Sequence, residues 1–327
     1  MSPRRTAPLT LVLLLLVVRP ASAGERFATE NFVVDAPTRE LAKTFGDYAE
    51  HYRKEKALDW LGYEMPRWPQ KCPLRVQVTL QRTGGATTFT FDHRQPAVLS
   101  QEMHIFGETK QLLTSVLPHE VTHTVLAHHF GRAVPRWADE GGSVLSENDE
   151  ERYTHDVKCR EVLNQGRGIP LGVLFSLTEY PRDMHVLYAQ GYSVCQYLIA
   201  REGKRKFLEF VGVGMRNDNR NWEQAVQMYG FGSTDELQAA WIDSLRTPPS
   251  RIAARNPDRR GGGRSVASLT SGRGVETRTS AVPGLPLLEA PVVARGTAPE
   301  RETVARPDPA PRPPIPRLLP PEPPTRK

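Results

Sequence analysis

Cysteine is scarce in this chain, with only Cys72, Cys159 and Cys195 among 327 residues. They form no C-x-x-C pair, which argues against a zinc site built from cysteine thiolates. An odd number leaves at least one thiol outside any disulfide within the chain, and the sequence leaves open whether the other two are paired. Cys195 lies in an apolar helical pattern and is predicted to be a buried thiol.

Long apolar runs are also rare, and the most prominent one, at residues 9–18, is too short to span a bilayer comfortably. It follows Arg4 and Arg5 and precedes Ala21-Ser22-Ala23, which is the pattern of a secretory signal peptide cleaved before Gly24. The alternative is an uncleaved N-terminal anchor. No cysteine follows the run closely, which argues against a lipid anchor. We expect a secreted, periplasmic or cell-envelope protein without a transmembrane span after cleavage.

The middle of the chain has no excess of basic residues, although the whole chain has a net charge of +6. Residues 248–327 carry 14 basic and 7 acidic residues, and residues 1–23 carry three arginines. Residues 24–247 therefore have a net charge of −4. This balance argues against a nucleic-acid-binding core.

The C-terminal segment at 248–327 lacks aromatic residues, and 17 of its 80 residues are proline. Such a composition cannot bury enough apolar surface to offset the loss of chain entropy, so we predict a disordered Pro/Arg-rich tail. The tail is interpreted either as a basic contact to an anionic surface or as a solvated linker. The predicted organisation is a signal peptide at 1–23, one domain at 24–247 and this tail.

The domain is predicted to be α+β, because strands precede a mostly helical part. The predicted strands cover 31–34, 74–80, 87–91 and 97–105, with Gly84-Gly85 as a turn. The predicted helices cover 41–61 with Thr38 as N-cap, 187–200 ending near Gly203, 204–213, 222–229, and 237–245 opened by a capping box at Ser233 and Glu236.

The residues with the clearest chemical meaning are His119, Glu120 and His123, which form an H-E-x-x-H pattern. Apolar residues at helical spacing surround them, and residues four apart share one face of a helix. The two imidazoles can therefore bind one metal ion, with Glu120 beside them as a general base. Pro118 is compatible with this helix if Thr114 or Ser115 caps its first turn.

A third ligand is expected after the loop marked by Gly131 and Pro135, where a second helix begins. Asp139 and Glu140 are adjacent, so only one of them can face the metal, and the spacing does not separate them. His128 and His129 are the rivals. A continuing helix turns both away from the metal face, so they are interpreted as late-helix residues whose positive charge suits the helix dipole.

The sequence around this pattern resembles the gluzincin branch of the zincin metallopeptidases, in particular the peptidase MA-like families. His119-Glu120-x-x-His123 and Trp137-x-x-Glu140-Gly141 match their two motifs, and 187–193 resembles the helix that follows the site. The resemblance implies a zincin-like fold with a small mixed sheet packed on the H-E-x-x-H helix. It makes His119, His123 and Glu140 the ligands of one Zn²⁺ ion and Glu120 the general base.

The predicted function is hydrolysis of peptide bonds in a peptide or protein substrate by a zinc-activated water. Tyr188 is a candidate donor to the oxyanion, and Tyr192 lies one turn further along the same helix, although core packing competes for both. His155 and His185 have weaker claims to that role. The strand at 87–91 could pair with an extended peptide. The alternatives are a non-catalytic zincin-fold envelope or scaffolding protein, and a binding protein in which H-E-x-x-H is accidental.

Overall fold

The computed structural model describes residues 24–246, with only the backbone of Asn219. The predicted signal peptide and the predicted tail both lie outside these residues and stay predictions. Within residues 24–246, every helix is too short or too polar to traverse a lipid bilayer. The described part is a mixed α+β structure whose C-terminal part is mostly helical.

Five strands form one mixed sheet in the spatial order β1-β2-β3-β5-β4. Their bounds are β1 (Glu25–Ala28), β2 (Phe32–Ala36), β3 (Cys72–Val78), β4 (Gly84–Phe91) and β5 (Val98–Gly107). The three central strands are parallel, and each outer strand is antiparallel to its neighbour. The four predicted strands are confirmed as β2 to β5. Strand β1 was not predicted because its four residues are largely exposed and show no apolar alternation.

One predicted boundary is wrong, because Gly84 and Gly85 lie inside β4 rather than in a turn before it. Their lack of a side chain serves close packing. A Cβ on Gly84 would lie 3.0 Å from the Phe106 ring, and a Cβ on Gly85 would lie 2.5 Å from a carboxylate oxygen of Glu120. At these positions glycine lets the Phe106 and Glu120 side chains pack close to the strand backbone, and it does not form a turn.

One of the described helices lies between β2 and β3 in the chain, and the others follow β5. Their bounds are α1 (Arg39–Leu61), α2 (Thr109–Gln111), α3 (Leu117–Phe130), α4 (Arg136–Val144), α5 (Asp149–Asn164), α6 (Leu171–Phe175), α7 (Met184–Gly214), α8 (Arg216–Asn219), α9 (Trp222–Gln227) and α10 (Thr234–Ser244). The predicted caps at Thr38 and Ser233 are confirmed, since each side chain accepts a backbone N–H of its helix. Gly203 breaks α7 with φ 80°, where a helix end was predicted.

The predicted cap of the H-E-x-x-H helix at Thr114 or Ser115 is wrong. The helical path starts earlier, at α2, and passes through a π-helical segment at 112–116 directly into α3. In that segment the N–H of Leu117 bonds to the carbonyl of Leu112, five residues back. Pro118 has no N–H to continue this pattern, and the Leu113 carbonyl instead accepts the Tyr52 hydroxyl at 2.8 Å. The widened turn and this long-range donor replace a capping side chain.

Helix α4 is anchored in the core by the fully buried Trp137, whose indole packs against Phe175 and Trp222 at centroid distances of 4.6 and 5.9 Å. On the neighbouring face, α4 meets α7 at two glycines. A Cβ on Gly141 would lie 2.3 Å from the Gly191 carbonyl carbon. The backbones of the two helices therefore touch, which sets the position of the residue that precedes Gly141.

The three cysteines are all buried free thiols. No disulfide therefore links any two of them in this structure, which answers the question that the odd count left open. Cys195 is fully buried, as its apolar pattern predicted.

Candidate metal centre

Two imidazoles and one carboxylate meet between α3 and α4. His119 and His123 lie one turn apart on α3, and their rings are 4.9 Å apart in an edge-to-face arrangement. Their Nε2 atoms lie 3.5 and 3.6 Å from the same oxygen, Oε2 of Glu140. All three residues are buried, Glu140 to 1% exposure. This group could hold a metal ion.

The donor atoms suit a small divalent cation. A four-coordinate ion with bonds of about 2.0–2.2 Å separates neighbouring ligand atoms by roughly 3.3–3.6 Å. The distances from Glu140 Oε2 to the two imidazoles fall in this range. Oε2 is buried and accepts no hydrogen bond. A buried carboxylate oxygen without a donor is costly, and a cation between the three donors would remove that cost.

The geometry separates Asp139 from Glu140, which the spacing had left open. Asp139 Oδ1 lies 2.7 Å from Nδ1 of His123, on the far side of the ring from the Nε2 atom that faces Glu140. Asp139 therefore orients an imidazole, whereas Glu140 faces the space between both. The anchored Trp137 turns α4 so that Glu140 is the residue directed at α3.

A second carboxylate orients the other imidazole. Glu147 Oε1 lies 2.7 Å from Nδ1 of His119, and its Oε2 lies 3.5 Å from His155. Metal-binding histidines commonly give their other ring nitrogen to a carboxylate in this way, which sets the tautomer and the ring orientation. Glu147 was not anticipated, because it follows the end of α4 and no helical spacing relates it to His119. His155 contributes here as a partner of Glu147.

Glu120 lies beside the cluster and is held by strand β4. Its Oε2 accepts the Thr87 hydroxyl at 2.7 Å, and its side chain packs over Gly85. Burial raises the pKa of Glu120, against the opposing effect of His123 and His119. A carboxylate with a raised pKa, oriented by a hydroxyl and next to a group that could hold a metal ion, is suited to accept and return a proton.

Tyr188 lies against the cluster, whereas Tyr192 does not. The Tyr188 ring stacks on His119 at 6.3 Å with an interplanar angle of 11°. Burial raises the pKa of Tyr188, and the nearby Glu140 carboxylate raises it further, so its hydroxyl keeps its proton. Tyr192 is fully buried and its hydroxyl accepts from Gln196, which is the core-packing role.

Tyr180 is a contact that the sequence did not suggest. It lies in the loop between α6 and α7, is 41% exposed, and donates its hydroxyl to Glu140 Oε1. No periodic pattern covers this loop, so no signal in the sequence relates Tyr180 to a residue forty positions earlier. His185, the weaker candidate nearby, is exposed at the start of α7.

The prediction that His128 and His129 are late-helix residues is confirmed, since α3 continues to Phe130 and ends at Gly131 with φ 62°. The prediction of a positive charge there is wrong for His128. His128 stacks on Trp68 at 5.1 Å, and burial lowers its pKa to about 4. Burial also lowers the pKa of His129. The cost of burying a charge exceeds the attraction of the helix dipole.

Buried neutral His128 is expected to make the protein less stable in mild acid. In the unfolded chain this residue gains a proton near pH 6.5, whereas in the folded protein it does so only near pH 4. The free energy of unfolding should therefore fall as the pH is lowered from 6.5 to 4. Urea titrations at pH 7.5 and 4.5 should show that the free energy of unfolding falls less in His128→Gln than in the wild type. An equal loss in both proteins would contradict this assignment.

Comparison with protein-family models, with curated proteins and with solved structures finds no match to this chain.

Proposed function

We propose that this protein is a zinc-dependent metallopeptidase of the zincin type, gluzincin branch. The observation that carries the proposal is the unsatisfied Glu140 Oε2 directed at two imidazoles, with Glu120 next to them. Two imidazoles and one carboxylate leave a fourth position open, which is the composition of a catalytic rather than a structural zinc site. A structural site would not need the fourth residue, Glu120.

The chain's own residues supply the proton transfers. A bound zinc ion would polarise the scissile carbonyl and lower the pKa of the attacking water. Glu120, held by Thr87, accepts the proton of that water and delivers it to the leaving amine. The protonated Tyr188 hydroxyl is a donor for the developing oxyanion. Asp139 and Glu147 keep the two imidazoles oriented throughout.

An extended peptide is the proposed substrate form. Strand β4 lies at one end of the described sheet, so its outer edge has no strand partner among residues 24–246. Thr87 of the same strand contacts Glu120. A peptide that added to this edge by main-chain hydrogen bonds would therefore pass directly beside the proposed base.

Export is part of the proposal and rests on the sequence alone. The predicted signal peptide would direct residues 24–327 out of the cytoplasm, to the envelope or beyond. The basic tail would then meet anionic surfaces there. Neither role is needed for the chemistry proposed at the metal centre.

Zinc is expected to bind in a 1:1 ratio and to stabilise the protein strongly. At a free zinc concentration 1,000 times the dissociation constant, binding raises the free energy of unfolding by about 4 kcal/mol. This corresponds to a rise in melting temperature of roughly 8–16 °C for a domain of this size. Metal analysis and thermal unfolding with zinc or with EDTA would measure both effects. The double substitution His119→Ala/His123→Ala should lose the bound zinc and the temperature shift.

The matched control replaces two exposed histidines, His93→Ala/His185→Ala, and should behave as the wild type. A peptide library then tests catalysis, with EDTA-sensitive cleavage as the expected result. Stoichiometric zinc without cleavage of any peptide would reject the peptidase and leave the non-catalytic scaffold. Absence of zinc binding in the wild type would reject the metal centre as well.

A further inference from the structure

Tyr180 connects an exposed loop to the most deeply buried carboxylate of the metal centre. We propose that Tyr180 is a positioning residue that keeps Glu140 a one-oxygen ligand, so that the fourth position stays open to water. This inference rests on the proposed zinc site and adds to it a residue outside the two sequence motifs.

The two oxygens of Glu140 have different surroundings. Oε1 accepts the Tyr180 hydroxyl, whereas Oε2 accepts no hydrogen bond and faces both imidazoles. Glu140 is only 1% exposed, and a buried carboxylate needs a hydrogen-bond donor or a cation at each oxygen. Tyr180 supplies one partner, and the proposed metal supplies the other.

Arg136 holds Tyr180 in place. Its guanidinium lies 4.5 Å from the centre of the Tyr180 ring, and its Nη1 lies 3.4 Å from the hydroxyl oxygen. Its Nε donates to the Thr178 carbonyl at 3.3 Å, which ties the loop to the first residue of α4. The contact between ring and guanidinium is a cation–π interaction that favours one orientation of the tyrosine.

The same arginine extends the connection to a second ligand. Arg136 Nη1 lies 3.9 Å from Asp139, and Asp139 in turn bonds to His123 at 2.7 Å. A chain of polar contacts therefore runs from His123 through Asp139, Arg136 and Tyr180 to Glu140. Partners behind the ligands in such sites set ligand orientation, and their loss typically weakens metal binding 10–100-fold.

Loss of the Tyr180 hydroxyl would remove the hydrogen bond that Oε1 accepts from it. The carboxylate would then gain by turning both oxygens toward the metal, which would occupy the position of the attacking water. Metal affinity and metal coordination should therefore both change, and not catalysis alone.

The test substitutes Tyr180→Phe in the full chain and measures zinc affinity by competition with a chromophoric chelator. We expect a 10–100-fold weaker affinity. The visible absorption spectrum of the Co²⁺-loaded variant should differ from that of the wild type, because coordination changes. On a cleaved peptide, kcat should fall while KM changes little.

Tyr197→Phe is the matched control, since Arg201 lies 5.6 Å from the Tyr197 ring and 3.4 Å from its hydroxyl in a similar arrangement. It should leave zinc affinity and the Co²⁺ spectrum unchanged. Arg136→Leu should also weaken zinc binding. In the double variant with Tyr180→Phe, the loss of zinc affinity should be smaller than the sum of the two separate losses.

Wild-type zinc affinity in Tyr180→Phe would overturn the inference while leaving the proposed function intact. A lower kcat with unchanged zinc affinity and spectrum would also overturn it, because Tyr180 would then act on the reacting group. A wild type that binds no zinc would overturn the inference and the proposed function together.

Discussion

Glu120→Gln is expected to lower peptide hydrolysis by about 10²–10⁴-fold while leaving one zinc ion bound, since general base catalysis contributes an effect of this size. The amide keeps the volume of the side chain and an oxygen for the Thr87 hydroxyl, so the site should stay assembled. An amide cannot accept the proton of the attacking water. The measurement is kcat/KM on the peptide that the wild type cleaves fastest, together with metal content.

The neighbouring carboxylates cannot replace Glu120. Glu140 is engaged by Tyr180 and by the two imidazoles, and Glu147 is engaged by His119 and His155. Glu151→Gln is a suitable control, because it alters a half-buried glutamate that bonds to Gln111 instead of the metal centre. Full activity in Glu120→Gln, with its zinc retained, would show that the proposed base has no catalytic role.

Gly141→Ala is expected to lower the free energy of unfolding by at least about 3 kcal/mol, at or above the upper end of overpacking substitutions. The added methyl group would lie 2.3 Å from the Gly191 carbonyl carbon, and backbone atoms cannot move aside as a side chain can. The gain in helix propensity from glycine to alanine is only about 1 kcal/mol and does not offset this clash. Urea unfolding of the metal-free protein would measure the loss.

Gly172→Ala provides the control for Gly141→Ala. Gly172 also lies in a helix, but an added Cβ would meet its nearest neighbour, Thr234 Oγ1, at 3.6 Å, which is an ordinary contact. The free energy of unfolding of the Gly172→Ala variant should equal or slightly exceed that of the wild type. Stability of Gly141→Ala within about 0.5 kcal/mol of the wild type would contradict the close contact of α4 and α7, since that is the range of neutral surface changes.

Gly141 also explains part of the second sequence motif in physical terms. It follows Glu140 directly and lets α4 approach α7, while Trp137 anchors the preceding turn in the core. One short helix thus holds Trp137, which packs in the core, Glu140, the candidate metal ligand, and Gly141, which contacts α7. A substitution at Trp137 or Gly141 is expected to move the Glu140 carboxylate relative to α3.

The predictions that succeeded depend on contacts between residues close in the chain. The alternation in β3 and the caps at Thr38 and Ser233 are local, and each was visible in the order of residues. The predicted cap of the H-E-x-x-H helix failed for the opposite reason. Pro118 is accommodated by a π-helical turn and by Tyr52, which lies 61 positions from the carbonyl that it satisfies.

The surroundings of the candidate metal centre could not be predicted from local patterns either. Glu147 and Tyr180 reach the site from an α4–α5 connection and an α6–α7 loop, where no periodicity relates them to their partners. The neutral state of His128 was missed because burial, which lowers its pKa, comes from Trp68 and other distant residues. Such contacts exist only after the chain has folded.

By itself, the sequence determined that His119 and His123 share one helical face with Glu120 beside them, because the period of an α-helix is a local property. Residue spacing could not separate Asp139 from Glu140, because adjacent residues differ by about 100°, and only the family resemblance favoured Glu140. The tertiary structure decided between them, because the packing of α4 on α7 sets which one faces α3. The same packing left Oε2 of Glu140 buried without a donor, which is the property that a metal ion would satisfy.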